Sequence, residues 1–202
     1  MDKGSRVECV DFPCADVAHD CYSVPELEVD RDRVSLVMIA EASPKELSNH
    51  FYSGGDSLFA RTTVAALNSG GAEVGSVFDA LDRGIYLTTA VKCGKVMYGL
   101  KASTIKTCSC ILEKELELFA KAKVLMLMGD VAIKALNYIA KRSGEPRVIP
   151  AGSTYKIRGQ PYYFRGKRVF PSYLQAGPSY FIEKSKRQMM AEDIRSALSL
   201  IG

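Results

Sequence analysis

The sequence lacks the long apolar segments that place a protein in a membrane or direct its export. No run approaches the roughly eighteen apolar residues expected of a membrane span. The first residues, MDKGSRVECVDF, lack the basic stretch and continuous apolar segment of a signal peptide. Internal repeats, low-complexity tracts and linkers are absent too. We therefore expect a cytoplasmic protein without membrane contact, with a single domain over residues 1–202 that starts with a cysteine-bearing arm of residues 1–33.

A strong charge of either sign is also absent. The net charge is +4 and the isoelectric point is near 8.7, a modest bias that is compatible with a polyanionic partner without identifying one. Hydrophobic residues make up 47% of the chain and charged residues 25%, as in ordinary globular proteins. At 202 residues the chain is long enough to bury a sizeable core.

Basic and aromatic side chains are interleaved near the C-terminal end. Such a mixture suits phosphates and unstacked bases. A hairpin with solvated charges and aromatic residues on its inner face has the same composition, so both interpretations stay open. The basic residues are Arg158, Arg165, Lys167, Arg168, Lys184, Lys186 and Arg187, and the aromatic residues are Tyr155, Tyr162, Tyr163, Phe164, Tyr173 and Tyr180.

The order of strand-like and helix-like segments predicts an α/β fold, a three-layer α/β/α sandwich around a central, mostly parallel sheet of four strands. Apolar runs at 34–40, 85–91 and 124–128 are typical of parallel strands buried on both faces. Short strands are predicted at 155–157, 160–165 and 168–173, the last of which joins the sheet. Helical spacing predicts helices at 57–67, 104–123, 130–142, capped by Asp130, and 183–200.

Four segments along most of the chain carry a resemblance to a known family. They are VMIAEASPKE, YLTTAVKC, KAKVLMLMGDVAIKAL and YKIRGQPYYFRGKRVFPSY. Their order and spacing resemble those of the iron–sulfur uracil-DNA glycosylases, often called family 4. The resemblance implies that family's fold, DNA as the partner, and hydrolysis of the N-glycosidic bond of a deaminated base in base excision repair. It also implies a monomer.

The same resemblance implies a [4Fe–4S] cluster, with zinc as the weaker alternative, because thiolates are soft ligands that suit either. Cys93 and Cys108 match two of the family's ligands. For the other two we choose Cys14 and Cys21, although the family's tight Cys-x-x-Cys is replaced here by wider spacings that also include Cys9. Six reduced cysteines, several buried as small apolar residues, are the alternative.

Glu41 and His50 are the candidate catalytic residues. Glu41 matches the family's glutamate at the end of the first strand, where a carboxylate could orient water or stabilise a cationic sugar. It could equally cap nearby backbone N–H groups. His50 could donate to the departing base, although an exposed loop histidine is the simpler interpretation, and His19 is structural or an alternative metal ligand.

The expected base pocket consists of Ala42, Phe59, Thr89 and Leu174. The family's stacking phenylalanine aligns with Leu58, so Phe59 stacks on a base only after a shift of one residue, or else belongs to the core. Thr89 replaces the base-reading asparagine and keeps one hydroxyl. Leu174 stands at the family's histidine, and leucine cannot donate a hydrogen bond.

The resemblance also suggests which residues contact DNA. Ser172 and Gln175 belong to the Pro171 to Pro178 loop that would approach the duplex, although Gln175 could have a plain turn role. Two other functions stay open, a binder of DNA or nucleotides without catalysis and a redox sensor built on the cysteines. The predicted DNA contacts are Arg158, Arg165, Lys167, Arg168, Ser172 and Gln175.

Overall fold

The computed structural model describes residues 7–25, 29–54, 56–181 and 183–202. Within these residues the strands form a single sheet with the order β1-β3-β2-β4-β6-β5. The strands are β1 Val17–Ala18, β2 Leu36–Ser43, β3 Ile85–Lys95, β4 Val124–Met128, β5 Tyr162–Phe164 and β6 Lys167–Ser172. The helices are α1 Leu58–Ser69, α2 Val77–Asp82, α3 Ala102–Glu117, α4 Asp130–Arg142, α5 Thr154–Ile157 and α6 Lys184–Leu198.

The four central strands of the sheet are parallel, and the two edge strands are antiparallel to their neighbours. The predicted three-layer sandwich is confirmed, but the predicted count of four strands is wrong, because the described sheet has six. The two extra strands, β1 and β5, contain two and three residues. Such short segments carry no alternation of apolar and polar residues, so their pairing depends on the neighbouring strand rather than on local sequence.

Each face of the sheet has its own helices and its own apolar core. Helices α3 and α4 cover one face, where Val37, Ile39 and Tyr86 are buried. Helices α1, α2 and α6 cover the other face, where Leu36, Met38 and Leu87 are buried. Because successive residues of a strand point to opposite faces, strands buried on both sides read as continuous apolar runs.

Several element boundaries differ from the predictions for local reasons. The segment Thr154–Ile157 is one helical turn, α5, and the strand predicted at 155–157 is wrong because a turn so short has no periodicity. Helix α3 ends at Glu117, and Leu118 caps it through its N–H bond to the carbonyl of Glu115. Gly129, at φ 107°, holds the cap position of α4 that was predicted for Asp130.

The outer edge of β3 is closed by three separate groups. The hydroxyl of Tyr52 accepts a hydrogen bond from the N–H of Leu87 at 2.9 Å. The N–H of Ser23 donates to the carbonyl of Lys92 at 2.8 Å, and β1 pairs with Gly94 and Lys95. In the described part of the chain, no helix combines the length and apolar character needed to cross a bilayer.

Candidate functional site

The parallel strands β2, β3, β4 and β6 end at one edge of the sheet, and Glu41 lies there near the end of β2. Its side chain is 18% exposed, and Lys95 Nζ lies 3.5 Å from Glu41 Oε2. Gly129, which follows β4, packs against the carboxylate. A β-carbon built on Gly129 would lie 2.7 Å from Glu41 Oε1, so any larger residue would force the carboxylate to move. The φ of 107° at Gly129 also favours glycine.

His50 is buried rather than exposed, in contrast to the simpler interpretation of the sequence. It follows a short 3₁₀ helix, Leu47–Asn49, and only 4% of its surface is accessible. Ser57 Oγ donates to the carbonyl of His50 at 2.5 Å, which ties the residue to the start of α1. Burial, helped by the charge of Lys92, lowers the pKa of His50 to about 4. The imidazole is therefore neutral near pH 7.

Phe59 lies in the first turn of α1, and its ring belongs to an aromatic cluster with Phe51 and His50. Its ring centroid is 5.3 Å from that of Phe51, which in turn lies 5.3 Å from the ring of His50. A β-carbon on Gly177 would lie 3.1 Å from Phe59 Cε1, so the segment after β6 also contacts this ring. Gly55 belongs to the segment before Leu58 that resembles the family's stacking motif, and it lies outside the described residues.

Polar atoms of three predicted site residues, the base-reading Thr89, the DNA contact Gln175 and the catalytic candidate His50, are buried and have no hydrogen-bond partner among the described residues. They are Thr89 Oγ1, both amide atoms of Gln175 and Nε2 of His50. Ala42, at the end of β2, is 5% exposed but belongs to the opposite core. Leu174 packs against the core on the α1 side. The structure thus brings Thr89, Leu174, Gln175 and Phe59 to one side of the sheet.

A buried ion pair between β3 and α3 was missed in the sequence. Lys92 and Glu115 are almost fully buried and bonded to each other. The hydroxyls of Tyr86 and Thr88 donate to Glu115 Oε1 at 2.9 and 2.8 Å, and Lys92 Nζ also donates to the carbonyl of Thr89 at 2.5 Å. The sequence feature that could have revealed this ion pair is a lysine within an otherwise apolar strand. This pair fixes the backbone beside Thr89.

The four basic residues predicted to contact DNA all have partners within the protein. Arg158 pairs with Glu192 and Asp193, which also accepts from the hydroxyl of Ser172. Arg165 pairs with Glu113 and Glu145. Lys167 donates to the carbonyls of Phe119, Ala120 and Ala122, and Arg168 donates to those of Tyr162 and Val169. Their charges stabilise the fold around the β5–β6 hairpin, and their contact with DNA stays a prediction.

A loop with exposed apolar side chains follows β3, and it was also missed. Val96 and Met97 are 46% and 55% exposed, and Tyr98 is fully exposed. Lys95 Nζ lies 5.9 Å from the centre of the Tyr98 ring. Since β3 ends at the same edge as β2, this loop lies beside Glu41.

Four of the six cysteines line one cavity between the N-terminal arm and the sheet. They are Cys9 and Cys14 of the arm, Cys93 of β3 and Cys108 of α3. Cys21, chosen as a ligand in the sequence, instead donates to the carbonyl of Lys45 at 2.7 Å and does not line the cavity. His19 Nδ1 lies 3.5 Å from Cys93 Sγ, and His19 also lines the cavity.

The arm is anchored next to this cavity. Asp16 accepts hydrogen bonds from the N–H of Lys101, at 2.7 Å, and from the hydroxyl of Thr104. Burial raises the pKa of Cys93 to about 12 and that of Cys108 to about 11, and the neighbouring thiols add to the shift at Cys93. The two thiols are thus protonated near pH 7. Over the described ranges, no three His, Cys, Asp or Glu side chains are arranged to hold a metal ion.

The donor set nevertheless fits an iron–sulfur cluster in chemical type, since four thiols from three chain segments face one cavity. The fold is that of an α/β protein whose candidate site lies beyond the carboxyl ends of the parallel strands, the usual place for ligand sites in such sheets. The family model of the Uracil DNA glycosylase superfamily matches residues 29–198, and the chain belongs to this superfamily. A search of the curated proteins gives no match. Membership gives the protein a DNA glycosylase-like function.

Proposed function

We propose that the protein is an iron–sulfur DNA glycosylase of the family 4 type that binds DNA as a monomer and hydrolyses the N-glycosidic bond of a deaminated base. The observation that carries the proposal is Glu41, held at the carboxyl edge of the sheet between Gly129 and Lys95 in a chain of the superfamily. Such an enzyme extrudes the target nucleotide into a pocket before the bond breaks.

Glu41 acts on the sugar side of the bond. When the bond to the base breaks, its electron pair leaves with the base and positive charge develops on the sugar. A carboxylate near the sugar stabilises this charge and can orient the water that attacks the anomeric carbon. Lys95, beside Glu41, helps to hold the carboxylate in place.

His50 acts on the base side. The departing base carries negative charge on its oxygens, and a neutral imidazole can donate an N–H to it. Nε2 of His50 is buried without a partner among the described residues, and the pKa of His50, about 4, keeps the ring neutral. Leu174, at the family's histidine position, has no group that could donate. His50 therefore takes the role of donor in this proposal.

The cluster ligands are Cys9, Cys14, Cys93 and Cys108. This set keeps three of the residues chosen from the sequence and replaces Cys21 with Cys9, because Cys9 faces the shared cavity. A bound [4Fe–4S] cluster would tie the arm to β3 and α3, a structural task, and zinc is the weaker alternative. Binding requires the thiols to lose their protons, so loading releases protons.

DNA meets the carboxyl edge through two loops. The loop of Val96, Met97 and Tyr98 offers apolar side chains next to the site, and the segment from Pro171 to Pro178 carries Gln175. Lys184 and Lys186, both exposed near that segment, supply positive charge for phosphates. Lys186 also pairs with Glu183, at 2.6 Å, on the surface of α6. Arg165 and its basic neighbours would shape the hairpin and reach phosphates only at the rim.

The test combines metal analysis with an assay of base release. Anaerobically purified protein is analysed for iron and sulfide, and then incubated with DNA that contains uracil, hypoxanthine or xanthine. We expect brown protein that releases at least one of these bases. Colourless, iron-free protein contradicts the cluster assignment, and brown protein without release contradicts the catalytic assignment.

Leu174 favours a second candidate function, binding of DNA or a nucleotide without catalysis. Its side chain packs against the core on the α1 side and cannot polarise the base. A gel-shift experiment with the same DNA separates the candidates. Binding that falls steeply with salt, without any base release, supports this second function.

A further inference from the structure

The side chain of Gln175 is a buried amide without an evident structural partner. Gln175 is fully buried, and neither Oε1 nor Nε2 makes a hydrogen bond among the described residues. An unpaired buried amide lowers the stability of the folded state, whereas an apolar side chain of the same size would not. A turn requires only the backbone of this residue, so the turn does not explain the amide.

The segment that carries Gln175 lies against α1 and the ring of Phe59. Leu174 and Ala176 pack into the core on that side of the sheet. Two residues after Gln175, the N–H of Gly177 donates to Thr62 Oγ1 at 3.0 Å, and Gly177 contacts the ring of Phe59. The segment is therefore held against the first two turns of α1.

Two further unpaired groups lie on the same side. Thr89 points to the face of Leu87, because alternate residues of β3 share a face, and its hydroxyl has no partner in the described part of the chain. His50 Nε2 also has no partner over the described ranges, and its ring contacts Phe51, which contacts Phe59. Three buried polar side chains, those of Gln175, Thr89 and His50, thus have atoms without hydrogen-bond partners among the described residues. Buried polar groups ordinarily have partners, so this concentration indicates a ligand that supplies them.

We propose that Gln175 reads the polar edge of the extruded base, the task that the family gives to the position of Thr89. The inference rests on the proposed glycosylase function. The amide NH₂ donates to a ring carbonyl, and the amide oxygen accepts from the adjacent ring N–H. This pairing fits the –NH–C(=O)– edge that deamination creates in uracil and hypoxanthine. The hydroxyl of Thr89 adds one hydrogen bond to the base.

An amide can turn over, so it can also pair with an amino edge such as that of cytosine. Both edges present an adjacent donor and acceptor, and binding measurements can distinguish them. The probe is DNA with a 2′-fluorinated nucleotide, because fluorine disfavours the cationic sugar and so prevents cleavage. Three probes carry uracil, N3-methyluracil, which lacks the N–H, or cytosine.

We expect the wild-type protein to bind the uracil probe about tenfold or more tightly than the N3-methyluracil probe, because a site built for hydrogen bonds rejects a base that leaves its groups unpaired. Tighter binding of uracil than of cytosine then identifies the deaminated edge as the one that is read. Gln175→Met keeps the length of the side chain without its amide. This variant should lose the preference while its melting temperature stays equal or rises, since the unpaired amide is gone. A purely structural glutamine predicts the opposite, a lower melting temperature with the preference intact.

Two further variants test this interpretation. Gln175→Leu also removes the amide, with a branched apolar side chain of similar volume, so it should also lose the preference, even if Gln175→Met fails to fold. Thr63→Val removes another buried, unpaired hydroxyl on α1 and should keep the preference. A preference that survives both changes at Gln175 overturns this inference and leaves the proposed function standing.

The remaining outcomes separate the two proposals. A preference for cytosine that Gln175→Met abolishes overturns the assignment to a deaminated base. A wild-type protein that binds all three probes equally overturns this inference, and base release from unmodified uracil DNA then decides whether the proposed function survives.

Discussion

At Glu41 the charge of the side chain, more than its size, carries the proposed chemistry. Glu41→Gln keeps the shape that packs against Gly129 and removes the negative charge. We expect base release to slow by about 10² to 10⁴-fold, the usual contribution of a positioned acid–base group, with little change in melting temperature. Single-turnover kinetics on the preferred base measure the loss. Glu117→Gln, an exposed change at the end of α3, is the control, and an equal effect there would contradict the role of Glu41.

His50 makes stability depend on pH because its pKa is depressed in the folded state. The unfolded chain binds a proton near pH 6.5 and the folded chain near pH 4, so stability falls as the pH drops through this window. The loss is on the order of 3 kcal/mol. Urea unfolding from pH 7 to pH 4 should show a smaller decline in His50→Gln than in the wild type. Parallel declines would mean that His50 titrates normally.

At the scale of single residues, some positions were predictable from the sequence and others were not. Glu41 was predictable because a carboxylate after an apolar strand must lie at the carboxyl edge of the sheet. The burial of His50 was not, since it depends on Ser57 and Phe51 closing over a polar loop. The choice between Cys9 and Cys21 likewise depends on the path of the arm, which no local pattern specifies.

Among the elements, the junction between β4 and α4 contacts the Glu41 carboxylate through Gly129. Gly129 has a φ of 107°, which side chains rarely adopt, and a β-carbon there would meet Glu41. Gly129→Ala should cost about 1 kcal/mol or more in unfolding free energy and also slow base release. Gly144→Ala is the control, because it has φ 71° but open space around it. If both variants slow release equally, the contact with Glu41 is unimportant.

The buried ion pair of Lys92 and Glu115 lies between β3 and α3. Glu115→Leu leaves Lys92 buried without its carboxylate, which should cost about 3 to 5 kcal/mol. The double change with Lys92→Met should recover part of this loss. The exposed pair of Lys121 and Asp32 is the control, and Lys121→Met should cost less than about 1 kcal/mol. Equal losses in urea unfolding for the buried and exposed pairs would contradict this account.

At the element scale, long apolar runs were predictable and short segments were not. The bounds of β4 match the prediction, 124–128, because a strand buried on both faces must be apolar throughout. β1, β5 and the single turn α5 are each too short to show a period. Helix α2 was not predicted, although Ser76 caps it by accepting from the N–H of Asp79.

For the whole molecule, the cysteine cavity joins the arm to the domain. Cys9→Ala should lower the iron and sulfide content of purified protein, because Cys9 faces the cavity, while Cys21→Ala should retain both. Cys110→Ala, an exposed change on α3, is the control. Loss of iron in Cys21→Ala but not in Cys9→Ala would restore the ligand set chosen from the sequence.

The closed edge of β3 has a consequence for the behaviour of the protein in solution. An open strand edge offers unpaired N–H and C=O groups on which a strand of another chain can grow. Here Tyr52, Ser23 and β1 occupy that edge in turn. Two of these three lie in the arm that also brings Cys9 and Cys14 to the sheet. If the arm detaches, for example after oxidative damage to a cluster, β3 becomes a template for aggregation while the rest of the sandwich is still folded.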